Sequence, residues 1–330
     1  MGCIPAARRR NAFTLIELLV VIAIIAVLMS ILLPTLSGAR RTAQATVGVA
    51  NMRSLSQVMF AYTNDQGGLF LQPFRSSWAA GGAGGTPAWS DLVDPGEQAL
   101  RWDLSSADPR FHTEVFAYYW YSYLNKWYGG GRLTPEMFSP ADPNLSLLKN
   151  TLGSTQETRE GWMLWPSSFL YSPTFWCSPS RYEGYDRLPM EDGLLAACDV
   201  GSVVNPAGKV LLWERMDFRQ TKRPDAPAPS SPGLPPAWNN PRARIHAATC
   251  DGSVTEVRIA ELIIRVNEGT ADGEAIRPLG FLRALDGPPL KARWGYEDRY
   301  AVGGEGTLDG DYPLFFWATR GGVRGRDIPR

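Results

Sequence analysis

The side chains that could do chemistry are few and scattered. There are two histidines in 330 residues. His246 and Cys250 lie four apart in a stretch that reads as a strand, so they share a face. At ~3.3 Å per residue they stand about 13 Å apart, too far for a Cys–His couple. His112, near the start of an aromatic-rich helical stretch, has no better company. A hairpin histidine is expected to be structural. Asp309 and Asp311, following Glu305, gather oxygen ligands of the kind calcium prefers, without the EF-hand spacing. They are the candidate calcium ligands; no other cofactor is expected. No Gly-x-Ser-x-Gly elbow, His-Glu-x-x-His pair or Walker loop occurs. Gly82–Gly85 and Gly304–Gly306 lack the strand-then-helix setting a phosphate cradle needs. These absences predict a protein that is not an enzyme. The remaining reactive group is Glu17, the one charge between Phe13 and Leu33. A carboxylate inside so apolar a run is costly and asks for a functional reason.

The element that must hold Glu17 is a helix. Residues 13–33 contain no Gly or Pro, and at ~1.5 Å per residue they span about 30 Å, enough to cross a bilayer. Arg8, Arg9 and Arg10 precede the run, and the next basic residue is Arg40. The positive-inside bias puts residues 1–12 in the cytoplasm and the rest outside. A secretory signal ending at Ser37-Gly38-Ala39 would need an apolar core of only ~7–15 residues, and a plain anchor leaves Glu17 unexplained. A newly made amino terminus on a neighbouring subunit would neutralise Glu17, which requires a cut just before Phe13.

The sequence Arg8-Arg9-Arg10-Asn11-Ala12 followed by Phe13-Thr14-Leu15-Ile16-Glu17 and an aliphatic run resembles the processing signal of type IV pilins and type II secretion pseudopilins. The resemblance covers about the first fifth of the chain. It implies cleavage between Ala12 and Phe13 by a prepilin peptidase and methylation of Phe13. It also implies assembly through Glu17, five residues into the mature chain. The family usually has Gly where Ala12 stands, and Pro34 matches a proline common in pilin helices. Asn51–Gly67 is similar to the helix end of a large group of pilin-like proteins, which often carry a Cys-Pro-Ser segment and a His ten residues before Asp-Gly. Here the first is Cys177-Ser178-Pro179-Ser180. The second is degenerate, His246 preceding Asp251-Gly252 by five.

Downstream of Pro34, expected to kink or loosen the helix, residues 39–63 place Ala43, Val47, Ala50, Leu55, Val58, Met59 and Tyr62 at helical spacing. This predicts an amphipathic continuation over 34–66, capped by Gly67 or Gly68. Residues 67–110 read as a surface excursion with a tip at Gly81–Gly85. Asp108-Pro109 then opens a helix to about Tyr128 with aromatics on every side, either buried by the surrounding loops or a surface for carbohydrate. Residues 132–200 show weak periodicity and many turns. Lys209–Glu214 is a strand; the proline-rich 219–241 is an exposed loop; Arg242–Thr249 and Ser253–Ala260 form a hairpin around Asp251-Gly252. Residues 270–330 read as irregular, with strand-like Leu314–Thr319. Three successive strands make an antiparallel meander on the amphipathic half-helix, an α+β arrangement that agrees with the pilin fold the resemblance implies, with long irregular insertions.

The domain reading is therefore a leader over 1–12, a membrane helix over 13–33, its continuation over 34–66 and a globular domain over 67–330. With 44% hydrophobic residues and 12 Trp, a core is assured. Formal charge is zero, and about −3 once the leader's three arginines leave, so there is no electrostatic case for nucleic acid. Cys3 leaves with the leader. Cys177, Cys198 and Cys250 remain in an oxidising compartment, as one disulfide and a thiol or as three thiols. The expected protein is an inner-membrane pilin-like subunit of a secretion or pilus filament. Its expected partners are the peptidase, other subunits and the assembly machinery. A membrane-anchored module gripping a polysaccharide or surface ligand is the alternative.

Overall fold

In a computed structural model the described residues are 15–72, 120–121, 124, 134–142, 145, 167–183, 198–220, 238, 240–278, 281–282, 312–313 and 315–329. The chain divides into two compact units, Met1–Gln44 and Ala45–Arg330. One helix, α1, runs from Leu15 to Asp65 and contributes to both.

In the first unit α1 carries no charge between Leu18 and Leu33, where aliphatic side chains stand on every side. The helix runs on through Pro34, which has no N–H to donate and so leaves one helical bond unmade. The polar side chains near it turn back to their own backbone: Ser30 Oγ donates to Val27 O at 2.7 Å, Thr35 Oγ1 to Leu32 O at 2.9 Å, and Ser37 Oγ to Pro34 O at 2.8 Å. Such bonds let a helix carry hydroxyls and a proline with little exposed polarity.

In the second unit the face of α1 that is buried is Gly48, Met52, Leu55, Ser56, Met59 and Thr63. This corrects the expected stripe. Leu55 and Met59 are buried as read, and Val58 and Tyr62 pack against the core at its margin. Ala43, Val47 and Ala50 are exposed. The contact face is rotated because small residues let the backbone come close. A Cβ on Gly48 would stand 3.2 Å from Ser139 Oγ and 3.8 Å from Glu214 Oε1. Asn51 Nδ2 donates to Phe138 O at 2.9 Å. Gly67 and Gly68, both at positive φ, end the helix as predicted, with Gly68 N donating to Thr63 O at 2.8 Å.

The sheet has four antiparallel strands in chain order: β1 Phe169–Tyr171, β2 Val210–Glu214, β3 Arg244–Thr249 and β4 Val254–Arg258. Leu170 pairs with Trp213, Trp213 with Ala247, and Ala247 with Thr255. An irregularity between Val210 and Leu212 shifts the β2–β3 register. All five residues of β2 are buried, because both faces of the sheet are covered. Glu214 points towards α1, and the alternate residue Trp213 meets Trp238 and Phe316, with ring centroids 5.4 and 5.6 Å away. β4 is the polar edge, with Val257 as its buried residue.

Four further expectations are corrected. β1 lies inside the stretch read as turns; three residues between turn signals are too short to show a period. The second hairpin strand ends at Arg258, and Ile259–Asn267 is a helix (α2), because Ile259, Leu262, Ile263 and Val266 recur at helical spacing. A short helix, α3, follows at Ala271–Ala275. Of the strand-like Leu314–Thr319, the described residues 315–319 are no strand: Tyr312–Pro313 (β6) pairs with Phe281–Leu282 (β5), and Phe315–Trp317 turns, with Phe316 at φ 65°. Finally, Trp238 of the proline-rich segment is fully buried in the aromatic cluster; the segment's residues 221–237 lie outside those described. In the predicted aromatic helix Trp120, Tyr121 and Leu124 are helical and buried, and Trp120 Nε1 donates to Phe169 O at 2.8 Å. They serve as core, which removes them from any carbohydrate-stacking surface.

Candidate functional site

The surface of α1 before the second unit is the candidate site. Every residue from 15 to 43 is exposed, and the run of large aliphatics from Leu15 (79% exposed) to Leu33 (62%) is open on all sides. Fully burying one such side chain is worth about 1.5–3 kcal/mol, so this surface is unstable in water and seeks lipid or other apolar helices. Among the described residues α1 is the one helix long and apolar enough to cross a membrane. Glu17 sits in its first turn, where a carboxylate is favoured by the positive end of the helix dipole. The processing residues Ala12 and Phe13 lie outside the described residues, as do Asp309 and Asp311. Among the described residues no three of His, Cys, Asp and Glu gather as a metal site.

The degenerate motif resolves into a fold device. His246 N donates to Glu214 Oε2 at 2.8 Å, and His246 Nδ1 lies 3.1 Å from the same oxygen. The carboxylate, almost wholly buried, is thereby held across the β2–β3 pairing beneath Gly48 of α1. Asp251 shapes the hairpin turn: its Oδ1 accepts from Thr249 Oγ1 at 2.5 Å and from Ser253 N at 2.9 Å, and Gly252 takes φ 85°. Although burial alone would raise its pKa, these hydrogen bonds hold the Asp251 carboxyl below the usual range. His246, Asp251 and Gly252 thus fix the hairpin and its contact with α1. Among the described residues no hydroxyl or thiol is hydrogen-bonded to His246 Nε2, as a nucleophile would be.

None of Cys177, Cys198 and Cys250 forms a disulfide. Cys198 Sγ points at the carbonyls of Cys177, at 3.5 Å, and Thr174, at 3.7 Å. Burial pushes the Cys198 thiol up to about 12, with Cys177 and Asp199 acting in the same direction and Lys209 and Arg324 opposing. Burial lifts Cys250 further, against the pull of Lys209. Because the thiolate is the nucleophile, an alkylating reagent at mildly alkaline pH is expected to modify Cys198 and Cys250 only after denaturant unfolds the chain. Peptide mapping checks this; rapid labelling of either in the native protein would contradict it.

Sequence reasoning missed the buried charges. Arg215 NH2 bonds both oxygens of Asp142, at 3.0 and 2.8 Å, with both side chains inside the domain. Lys209 and Asp327 form a second such pair. The only sequence signal was a charged residue directly flanking the aliphatic strand at each end, Lys209 before it and Arg215 after it; their partners lie far along the chain.

Comparison with known proteins follows the same lines. Residues 7–33 match the family described as the prokaryotic N-terminal methylation motif. The type IV wide pilus major component PilA4 of Thermus thermophilus is 32% identical over 126 residues, which cover 31% of this chain and 96% of that protein. No solved structure matches the chain significantly. The chain belongs to the type IV pilin family. Its long apolar helix and antiparallel sheet are the α+β fold expected of a pilin-type subunit.

Proposed function

We propose that the protein is a filament subunit of the pseudopilin or minor-pilin kind. A prepilin peptidase cuts between Ala12 and Phe13 and methylates Phe13. Before assembly the chain rests in the inner membrane, with residues 1–12 on the cytoplasmic side and the globular domain outside. The observation that carries this reading is α1: an apolar surface exposed on all sides, carrying Glu17 alone as a charge at its start. Neighbouring copies bury that surface in a helical bundle, and Glu17 meets the new amine of Phe13 on an adjacent subunit. The role is structural; no enzymatic step is proposed. The similarity to a pilus component covers under a third of this chain, so most of the outer domain is additional. An enlarged domain suits a subunit used sparingly, in a secretion or pilus-like filament, better than one repeated along its length.

Glu17→Ala is the test. The mutant is expected to be processed to a methylated Phe13 terminus, read by mass spectrometry, while its incorporation into sheared filaments falls at least several-fold. Normal incorporation would rule out the assembly role, and a wild-type membrane-bound chain starting anywhere but Phe13 would rule out the processing.

A further inference from the structure

Lys209 immediately precedes β2, and Asp327 lies near the chain end. Both side chains are 0% exposed, and Nζ stands 2.9 Å from Oδ2. The terminal segment is fastened at this point, since Asp327 N and Ile328 N both donate to Gly208 O, at 2.8 and 3.0 Å. The carboxyl group is gripped on both oxygens: Val210 N donates to Oδ2 at 2.9 Å, and Thr319 Oγ1 donates to Oδ1. The amine is different. Although it touches the carboxyl group, Lys209 Nζ makes no aligned hydrogen bond among the described residues. The ring of Phe175 lies 5.9 Å away at the centroid, and the charge is felt by the Cys198 and Cys250 thiols. A buried ammonium that abuts a carboxylate without bonding to it is costly, and that cost disappears if both charges are consumed.

We propose that Lys209 and Asp327 are joined by an intramolecular amide bond that forms once the domain has folded. A proton passes from the ammonium to the carboxylate within the pair, leaving a neutral amine and a carboxylic acid. Nζ attacks Cγ, the Nζ–Cγ bond forms, and the Cγ–Oδ1 bond breaks. Oδ1 departs as water, carrying the transferred proton and a second one from Nζ. Thr319, on Oδ1, assists the departing oxygen, and Val210 N–H holds Oδ2, which remains as the amide oxygen. No oxidant or co-reactant is needed. Fixed proximity supplies the effective concentration, and the closed site keeps water from reversing the step. The link closes the chain from the start of β2 to its terminal segment, so that segment could not peel away under tension.

Intact-mass spectrometry of the full-length protein purified in detergent tests this directly. The expected mass is one water below that of the processed sequence. A tryptic digest is expected to give Asp327–Arg330 branched onto a peptide with an uncut Lys209. Lys209→Arg is expected to restore the full mass. A wild-type mass with no water missing, and the two segments recovered as separate peptides, would overturn the proposal whether or not the variant folds. Water loss without the branched peptide would overturn it as well.

Discussion

Replacing Asp142 with alanine is expected to destabilise the folded protein by about 3–5 kcal/mol, the cost of removing one partner of a buried ion pair. Asp142 anchors more than one charge. Its Oδ2 accepts from Ser168 Oγ at 2.5 Å, and that hydroxyl in turn accepts from Ser139 N at 2.9 Å. Arg215 N donates to Ser168 O at 3.0 Å, which ties the end of β2 to the start of β1. Alanine deprives the Arg215 guanidinium of this carboxylate in a place water does not reach, and it loosens the loop that bears Ser139 against α1. Denaturant unfolding of the full chain in detergent, followed by tryptophan fluorescence, measures the loss. A change under about 1 kcal/mol would mean that the pair is bridged to solvent rather than buried. Asp142→Asn keeps the size and some hydrogen bonds, and is expected to fall between the two.

Trp213→Ala is expected to cost about as much, roughly 3–5 kcal/mol, by a different mechanism. Trp213 is fully buried on β2 and meets Trp238, Phe316 and Trp317, with centroids at 5.4, 5.6 and 6.3 Å. These neighbours come from two stretches of chain far from β2, around Trp238 and at Phe316–Trp317, so the cavity would open where they meet it. Phe316 is already held at positive φ, in part by Ser172 Oγ, which donates to its carbonyl at 2.7 Å, and has little freedom to move into the space. Trp213→Phe is expected to cost only about 1–2 kcal/mol. Trp213 Nε1 meets no acceptor among the described residues, so phenylalanine loses volume but removes an unsatisfied donor. The same unfolding measurement checks both variants, and equal losses for Ala and Phe would contradict the cavity argument.

The contrast between the two ends of the chain shows what a sequence displays. The long apolar helix that opens the described chain was legible because its signal is local: an uninterrupted aliphatic run with a single acid within it. The β3–β4 hairpin was legible because Asp251-Gly252 dictates its own turn. What stayed hidden depends on distant partners. The face of α1 that packs is set by Ser139 and Glu214 approaching Gly48, and nothing near Gly48 announces them. Glu214, which gives His246 its place, reads on its own as the polar end of a strand. α2 was lost because a helix beginning directly where a strand stops shows no turn residue between the two periods.

The last strand of the sheet has a consequence for crowding. β4 stands at the margin of the sheet, and such a margin invites the strand of any identical neighbour to zip onto it. Here it bears Glu256 and Arg258, engaged with Arg219 and Glu261. Charges on an edge discourage that kind of growth. Along this edge, sheet-to-sheet pairing of crowded copies is therefore disfavoured as a route that would compete with packing of their apolar helices.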